Sequence, residues 1–174
     1  MVEAITFQTI FQFLQAISIM VGIAYYLLIL RNAEKSRRTQ QSLQLINRVQ
    51  DTKFWDNFTH VAYVQEFKTY EEWRDNYGPS SNPKASSAMF STAQVFVSAG
   101  ILLELGIVDP DTLYKYVPNI AVVVTWRRIK PWVISTRERY KNPSWMESFE
   151  YLYNDVTKRF PDLIIPDDYQ NQNR

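Results

Sequence analysis

The stretch IFQFLQAISIMVGIAYYLLIL, residues 10–30, decides the architecture of this chain. No charged residue occurs between Glu3 and Arg31, a run of 27 positions. A helix needs about 20 mostly apolar residues to cross the hydrocarbon core of a bilayer, and a continuous helix satisfies its own backbone amides there. A cleaved signal peptide is disfavoured, because a basic region precedes its apolar core and here the only preceding charge is Glu3. Residues 1–31 are therefore predicted to form a membrane span, with about 7–30 in the bilayer.

The charges that flank this span predict its orientation. Four cations follow it closely, with Glu34 as the only acid among them: Arg31, Lys35, Arg37 and Arg38. The preceding flank has no Lys or Arg. Because basic residues are retained on the cytoplasmic side of a membrane, we expect a single-pass cell-membrane protein with its N-terminus outside and its C-terminal domain in the cytoplasm.

One face of the predicted span carries polar and small side chains. Its members follow one another at steps of four, three, three and four residues, which aligns them on a helix: Gln8, Gln12, Gln15, Ser18 and Gly22. Amides that face lipid are costly, whereas another helix can pack against small residues and hydrogen-bond to polar ones. Two interpretations stay open at this point. The face is a seam for self-association or for a partner's membrane helix, or Gln8 and Gln12 lie among lipid headgroups and the rest is chance.

Residues 32–161 are predicted to form a cytoplasmic helical bundle, followed by a polar tail at 162–174. No Gly or Pro occurs between Gly22 and Gly78, so the membrane helix can continue into the bundle. Residues typical of helix starts occur at Asp51-Thr52, Thr69-Tyr70 and Asp109-Pro110. Strand-like alternation is not clear anywhere, although the β-branched run IAVVVT keeps one strand possible. The predicted fold class is all-α.

A second uncharged segment, residues 85–103, raises the question of a second span. It lies between Lys84 and Glu104 and is long enough to cross a bilayer. Six of its residues are polar: Ser86, Ser87, Ser91, Thr92, Gln94 and Ser98. Because polar residues oppose insertion, the segment is predicted to be the central helix of the bundle. A second span would instead place the C-terminal third of the chain outside.

The composition argues against several classes of function. The 174 residues contain 19 Lys and Arg against 18 Asp and Glu, whereas nucleic-acid-binding domains are usually strongly basic. The absence of cysteine excludes disulfides, thiolate metal sites and cysteine nucleophiles. His60 is the only histidine, and its spacing from Asp56 is interpreted as a surface hydrogen bond. We therefore predict no enzyme activity, no cofactor and no metal.

A basic cluster is the strongest concentration of charge in the sequence. Its six cations share 15 residues with a single acid, Glu138: Arg127, Arg128, Lys130, Arg137, Arg139 and Lys141. One interpretation is a site for a phosphate, an anionic lipid headgroup or an acidic partner segment. The other is a solvated helix face whose arginines pair with acids at 66–75 or 147–155. The five tryptophans predict a well-filled aromatic core, with a ligand cage as a further possibility that nothing in the sequence supports.

Five segments carry a resemblance to a known family: IAYYLLILR, EFKTYEEWRDNYG, LLELGIVDPDTL, TWRRIKPWV and NPSWMESFEYLYND. On these the chain resembles a family of short membrane-anchored proteins of unknown function, common in archaeal genomes. The resemblance implies an N-terminal helix followed by a cytoplasmic helical domain, and it implies no activity. Our first hypothesis is thus a non-enzymatic interaction module or accessory subunit of a membrane complex, bound to lipid and to a protein partner or second copy. The alternative is a sensor that holds an anionic metabolite or lipid headgroup in the basic cluster.

Overall fold

A computed structural model describes residues 7–163 of the chain, and every regular element within them is helical. The elements in chain order are α1 (Phe7–Gln50), α2 (Thr52–Thr59), a π-helical turn (His60–Val64), α3 (Tyr70–Tyr77), α4 (Pro83–Glu104), α5 (Pro110–Tyr116), α6 (Asn119–Tyr140) and α7 (Glu147–Arg159). The all-α prediction is confirmed. Most of the predicted polar tail lies outside the described residues.

The chain divides into two compact units, of which the first ends at Gln41 and the second begins at Ser42. In the first unit, every described residue from Phe7 to Thr39 is exposed. This part of α1 is long and apolar enough to cross a membrane, and none of its most apolar 18-residue window is buried. The first unit is therefore compatible with membrane anchoring, as predicted.

Three helices of the second unit begin at the residues that the sequence predicts, because a side chain there accepts hydrogen bonds from the first turn of the helix. The Asp51 carboxylate accepts from the backbone N–H of Lys53 at 2.9 Å, and the Thr69 hydroxyl accepts from the N–H of Glu72 at 3.2 Å. The Asp109 carboxylate accepts from the N–H groups of Asp111 and Thr112 at 3.0 and 3.1 Å. Each such cap stabilises its helix by about 1 kcal/mol.

Helix α4 lies at the centre of the second unit and packs most extensively against α7. It is also long and apolar enough to cross a membrane, but 56% of its most apolar window is buried inside the protein. Small residues on α4 let its neighbours approach closely. At Gly100, an added Cβ would collide with the backbone carbonyl of Ser148, just inside α7. The segment thus has the packing of a bundle core helix.

Helix α6 contains the β-branched run that left a strand possible. Its side chains Val122, Val123 and Val124 are all buried. Trp126, one turn further on, packs edge-on against Phe149 of α7 at 5.1 Å between ring centroids. Burial on a helix therefore outweighs the intrinsic preference of valine for strands, because that preference spans only about 1 kcal/mol.

Candidate functional site

The polar face of α1 has no partner among the described residues. The side chains of Gln8, Gln12 and Gln15 are exposed and form no hydrogen bond with another described residue. The Ser18 hydroxyl donates to the Leu14 carbonyl at 2.8 Å, so it is satisfied within its own helix. At Gly22 the surface is open, since an added Cβ would meet nothing within 4 Å. In a membrane, the three amides are the groups that this face leaves unsatisfied.

The cations that follow the predicted span are all exposed. Arg31, Lys35 and Arg37 lie along α1 beyond the apolar run. Arg38 forms a surface ion pair with Glu34 one turn earlier, at 2.7 Å. Such exposed ion pairs contribute little to the stability of a helix. The notable property of this segment is therefore its net positive charge.

The arginines of the basic cluster turn toward different helices. The half-buried Arg128 donates from Nη2 to the Ala62 carbonyl at 3.0 Å, and burial lowers its pKa. Arg137 donates from Nε to the Trp145 carbonyl at 2.9 Å and from Nη1 to the Glu150 carboxylate at 2.7 Å. These two guanidinium groups fasten α6 to the π-helical turn and to the start of α7.

The remaining cations of the cluster lie at the surface. Arg139 pairs with Glu71 of α3 at 2.9 Å, and its Cζ lies 4.4 Å from the centroid of the Tyr70 ring. Arg127 and Lys130 are exposed and form no ion pair with another described residue. The predicted anion-binding residues of the cluster therefore have separate partners or none and are not brought together: Arg127, Arg128, Lys130, Arg137 and Arg139. Two of them pair with acids at 66–75 and 147–155, the pairing expected of a structural helix face.

His60 has a partner other than the predicted one. Its Nδ1 lies 3.2 Å from Nε2 of Gln65, and that amide also donates to the Ala85 carbonyl at 2.7 Å. The described residues contain no group of three or more His, Asp or Glu that could hold a metal ion.

A cavity of about 390 Å³ lies among α3, α4, α6 and the connection between α6 and α7. Nine residues line it: Tyr70, Trp73, Pro79, Phe90, Trp132, Thr136, Tyr140, Asn142 and Trp145. The sequence offered only an unsupported ligand cage among its five tryptophans, of which Trp73, Trp132 and Trp145 line this cavity. The spacing in α6 could have pointed to the cavity, because Trp132, Thr136 and Tyr140 are four residues apart and therefore share one face of the helix.

Several polar groups of this cavity lack partners. Trp73 and Trp132 are 3% and 2% exposed, and the indole N–H of each has no acceptor in the described structure. The Trp145 N–H and the Thr136 hydroxyl are likewise buried and unpartnered. At the rim, burial and a hydrogen bond with Tyr140 raise the pKa of Tyr70. Since these four polar atoms are inaccessible to water, they lie within the packed walls and not at the surface of the cavity.

Comparison with family models matches residues 14–156 to a domain described as Domain of unknown function (DUF4760). No curated protein and no solved structure matches the chain.

Proposed function

The chain belongs to the DUF4760 family of domains of unknown function, and from this premise we propose that it is a non-enzymatic, membrane-anchored interaction module that self-associates through α1. The family match begins within the apolar run and ends in α7, so the domain joins an anchor to a bundle. We place the N-terminus outside and the bundle in the cytoplasm, because cations follow the span and none precedes it.

The observation that carries the proposal is the unsatisfied amide face of α1. In lipid no water is available to bind Gln8, Gln12 and Gln15, and an unsatisfied polar group there is costly. A second helix that presents polar groups at the same depth removes this cost.

A second copy of this chain is the partner whose chemistry fits best. A glutamine side chain carries both donors and an acceptor, so it can hydrogen-bond to its own equivalent on another copy. All copies insert in the same direction, which places the three amides of one helix at the same depth as those of its neighbour. The polar face from Gln8 to Gly22 extends over about 21 Å, enough for a continuous helix–helix contact.

Arginine placement explains why the basic cluster is not the proposed site. Arg128, Arg137 and Arg139 each donate to a protein group, and these groups lie on three different elements. Arg127 and Lys130 are exposed. The cluster is therefore dispersed over several contacts and does not form one site.

Self-association is tested by the mass of the full-length protein in mild detergent, measured by light scattering coupled to size exclusion. The test variant combines Gln12→Leu, Gln15→Leu and Ser18→Leu. Interhelical polar contacts in membranes average about 0.6 kcal/mol each, so losing the two amide pairs and the packing beside them should weaken the dimer about tenfold.

The matched control replaces three residues on the opposite face of α1, with Phe13→Leu, Ile17→Leu and Met20→Leu. These residues are exposed, and the changes keep that face apolar. We expect the control to retain the mass of the wild-type oligomer. A monomeric wild-type protein, or equal weakening by both triple variants, would refute the proposal. A different membrane protein that copurifies with wild type and is lost in the test variant would replace self-association by binding of a partner.

A further inference from the structure

We propose that the outward face of α6 binds the surface of a bilayer that carries anionic lipid. Four exposed residues define this basic face: Arg127, Lys130, Ile134 and Lys141. The inference rests on the proposed anchoring of the chain in a membrane, but it does not require self-association. It makes the composition of the lipid a factor that decides whether the second unit lies on the membrane or away from it.

Positive charge is concentrated in one part of the second unit. Residues 42–163 contain 14 Lys and Arg and 14 Asp and Glu, so this part of the chain is neutral overall. Within it, residues 127–143 contain six cations and one acid, Glu138, which leaves eight cations and 13 acids for the rest. A neutral body whose charges are separated in this way turns its positive side toward a negative surface.

Three cations of this segment are available to an outside partner. Arg127, Lys130 and Lys141 are exposed and form no ion pair with any residue between 7 and 163. The other three cations of the basic cluster donate to protein groups instead. An anionic surface can therefore bind the first three without breaking a contact within the described bundle.

The available cations lie on one side of α6. Arg127, Lys130 and Ile134 follow at steps of three and four residues, which aligns them along the helix. An open depression of about 460 Å³ is lined by both Ile134 and Lys141, so the last cation lies beside the others. The basic face thus extends over 14 residues, or about 21 Å along the helix axis.

This spacing favours an extended surface over a small anion. A single phosphate group is far shorter than the basic face and cannot contact both of its ends. A leaflet with anionic lipid presents negative charge over its whole area, and the cytoplasmic leaflet is the anionic one. Ile134, which is 42% exposed among the cations, can enter the headgroup region, where apolar side chains gain from burial.

The anchor favours lipid over an acidic protein as the partner. An acidic protein would need carboxylates at positions that match the three cations, whereas lipids diffuse to wherever the cations lie. A chain anchored through α1 also has the leaflet always within reach, which raises the effective concentration of lipid around the bundle. Each basic residue near an anionic leaflet strengthens attraction by about fivefold, so three cations and Glu138 should together give about 30-fold.

The experiment places a fluorescent label on the basic face of the full-length protein in lipid nanodiscs. Ile134→Cys provides the attachment site, because the chain has no native cysteine. Discs of phosphatidylcholine are compared with discs in which one lipid in three is phosphatidylglycerol, and a headgroup spin label on the lipid quenches fluorescence close to the bilayer. We expect quenching to be at least twofold stronger in the anionic discs. The difference should shrink between about 0.05 and 0.5 M salt, because salt screens the attraction.

The test variant neutralises the basic face with Arg127→Gln, Lys130→Gln and Lys141→Gln. These residues are exposed, so the bundle should keep the melting temperature of wild type. We expect the variant to lose the difference between neutral and anionic discs.

The matched control removes the same amount of charge from α2, α5 and α7, with Lys53→Gln, Lys115→Gln and Lys158→Gln. These lysines are also exposed. The control should keep more than half of the difference, because its basic face is intact. A second label at Gln94→Cys, on the exposed side of α4, should respond less than the label at Ile134.

The proposal is overturned if quenching is equal in neutral and anionic discs, or if the two triple variants lose the difference equally. It is also overturned if the Gln94 label responds as strongly as the Ile134 label. If polyglutamate changes the fluorescence in neutral discs and anionic lipid does not, the face binds acidic protein and not lipid.

The anchoring is tested separately by whether the protein enters the nanodiscs at all. A protein that enters the discs without responding to anionic lipid refutes this inference alone. A protein that stays outside the discs refutes the anchoring as well. The oligomeric mass in detergent reports on self-association and does not depend on the label.

Discussion

Replacing Thr125 by valine should stabilise this protein, although the change removes a polar group from the middle of a helix. Thr125 lies in α6, is fully buried and has a hydroxyl with no hydrogen-bond partner in the described structure. Valine has the same shape and exchanges the hydroxyl for a methyl group. The folded state therefore loses an unsatisfied group and leaves no new cavity.

The size of the effect follows from two contributions of the same sign. An unsatisfied buried hydroxyl costs about 1–3 kcal/mol of stability. The added methyl group gains roughly 0.8 kcal/mol from burial. Strain from an imperfect fit reduces this gain, so we expect the free energy of unfolding to rise by about 1–2 kcal/mol. For a chain of this length, the melting temperature should rise by about 2–8 °C.

Thr92→Val provides the matched control. Thr92 is also fully buried, on α4, but its hydroxyl donates to the Ala88 carbonyl at 2.9 Å. Its replacement loses about 1 kcal/mol of hydrogen bonding and regains a similar amount from the methyl group, so its melting temperature should stay near that of wild type. Both are measured by thermal unfolding of the full-length protein in mild detergent. If Thr125→Val melts no higher than Thr92→Val, the Thr125 hydroxyl is satisfied in solution and the reasoning fails.

Two further predictions address orientation and pH. Because the chain has no native cysteine, an impermeant maleimide added to intact cells should label Val2→Cys and leave Lys53→Cys unlabelled until lysis; the reverse pattern would contradict the proposed topology. Burial, and then a 2.6 Å hydrogen bond to the Asp155 carboxylate, raises the pKa of Tyr114. Its contribution to stability is therefore complete below pH 10 and is lost above it, by up to about 1.4 kcal/mol per pH unit. Tyr114→Phe should unfold with a shallower dependence between pH 10 and 12, and parallel profiles would show that Tyr114 is not responsible.

The helix starts show which features of the fold can be predicted from neighbouring residues alone. Asp51, Thr69 and Asp109 cap the helices that their spacing predicts, because a cap joins groups only two or three residues apart. The β-branched run in α6 shows the opposite case. Its valines left a strand possible, and only their burial within the bundle decided for a helix.

The structure of the basic cluster could be predicted only in part from the sequence. The sequence offered two interpretations of the same cations, and pairing with the acids at 66–75 and 147–155 was part of one. The partners themselves depend on how helices pack, since Arg139 lies 68 residues from Glu71. Charge patterning can suggest such pairs but cannot select among them.

The sequence by itself determined the apolar helix and the starts of α2, α3 and α5, because hydropathy and capping act over a few neighbouring residues. Only the tertiary structure decided that Trp73 of α3 and Trp132 of α6, distant in the chain, line one cavity. A cavity is the space that packed helices fail to fill, so its existence depends on the whole arrangement of the bundle. No local pattern encodes that arrangement.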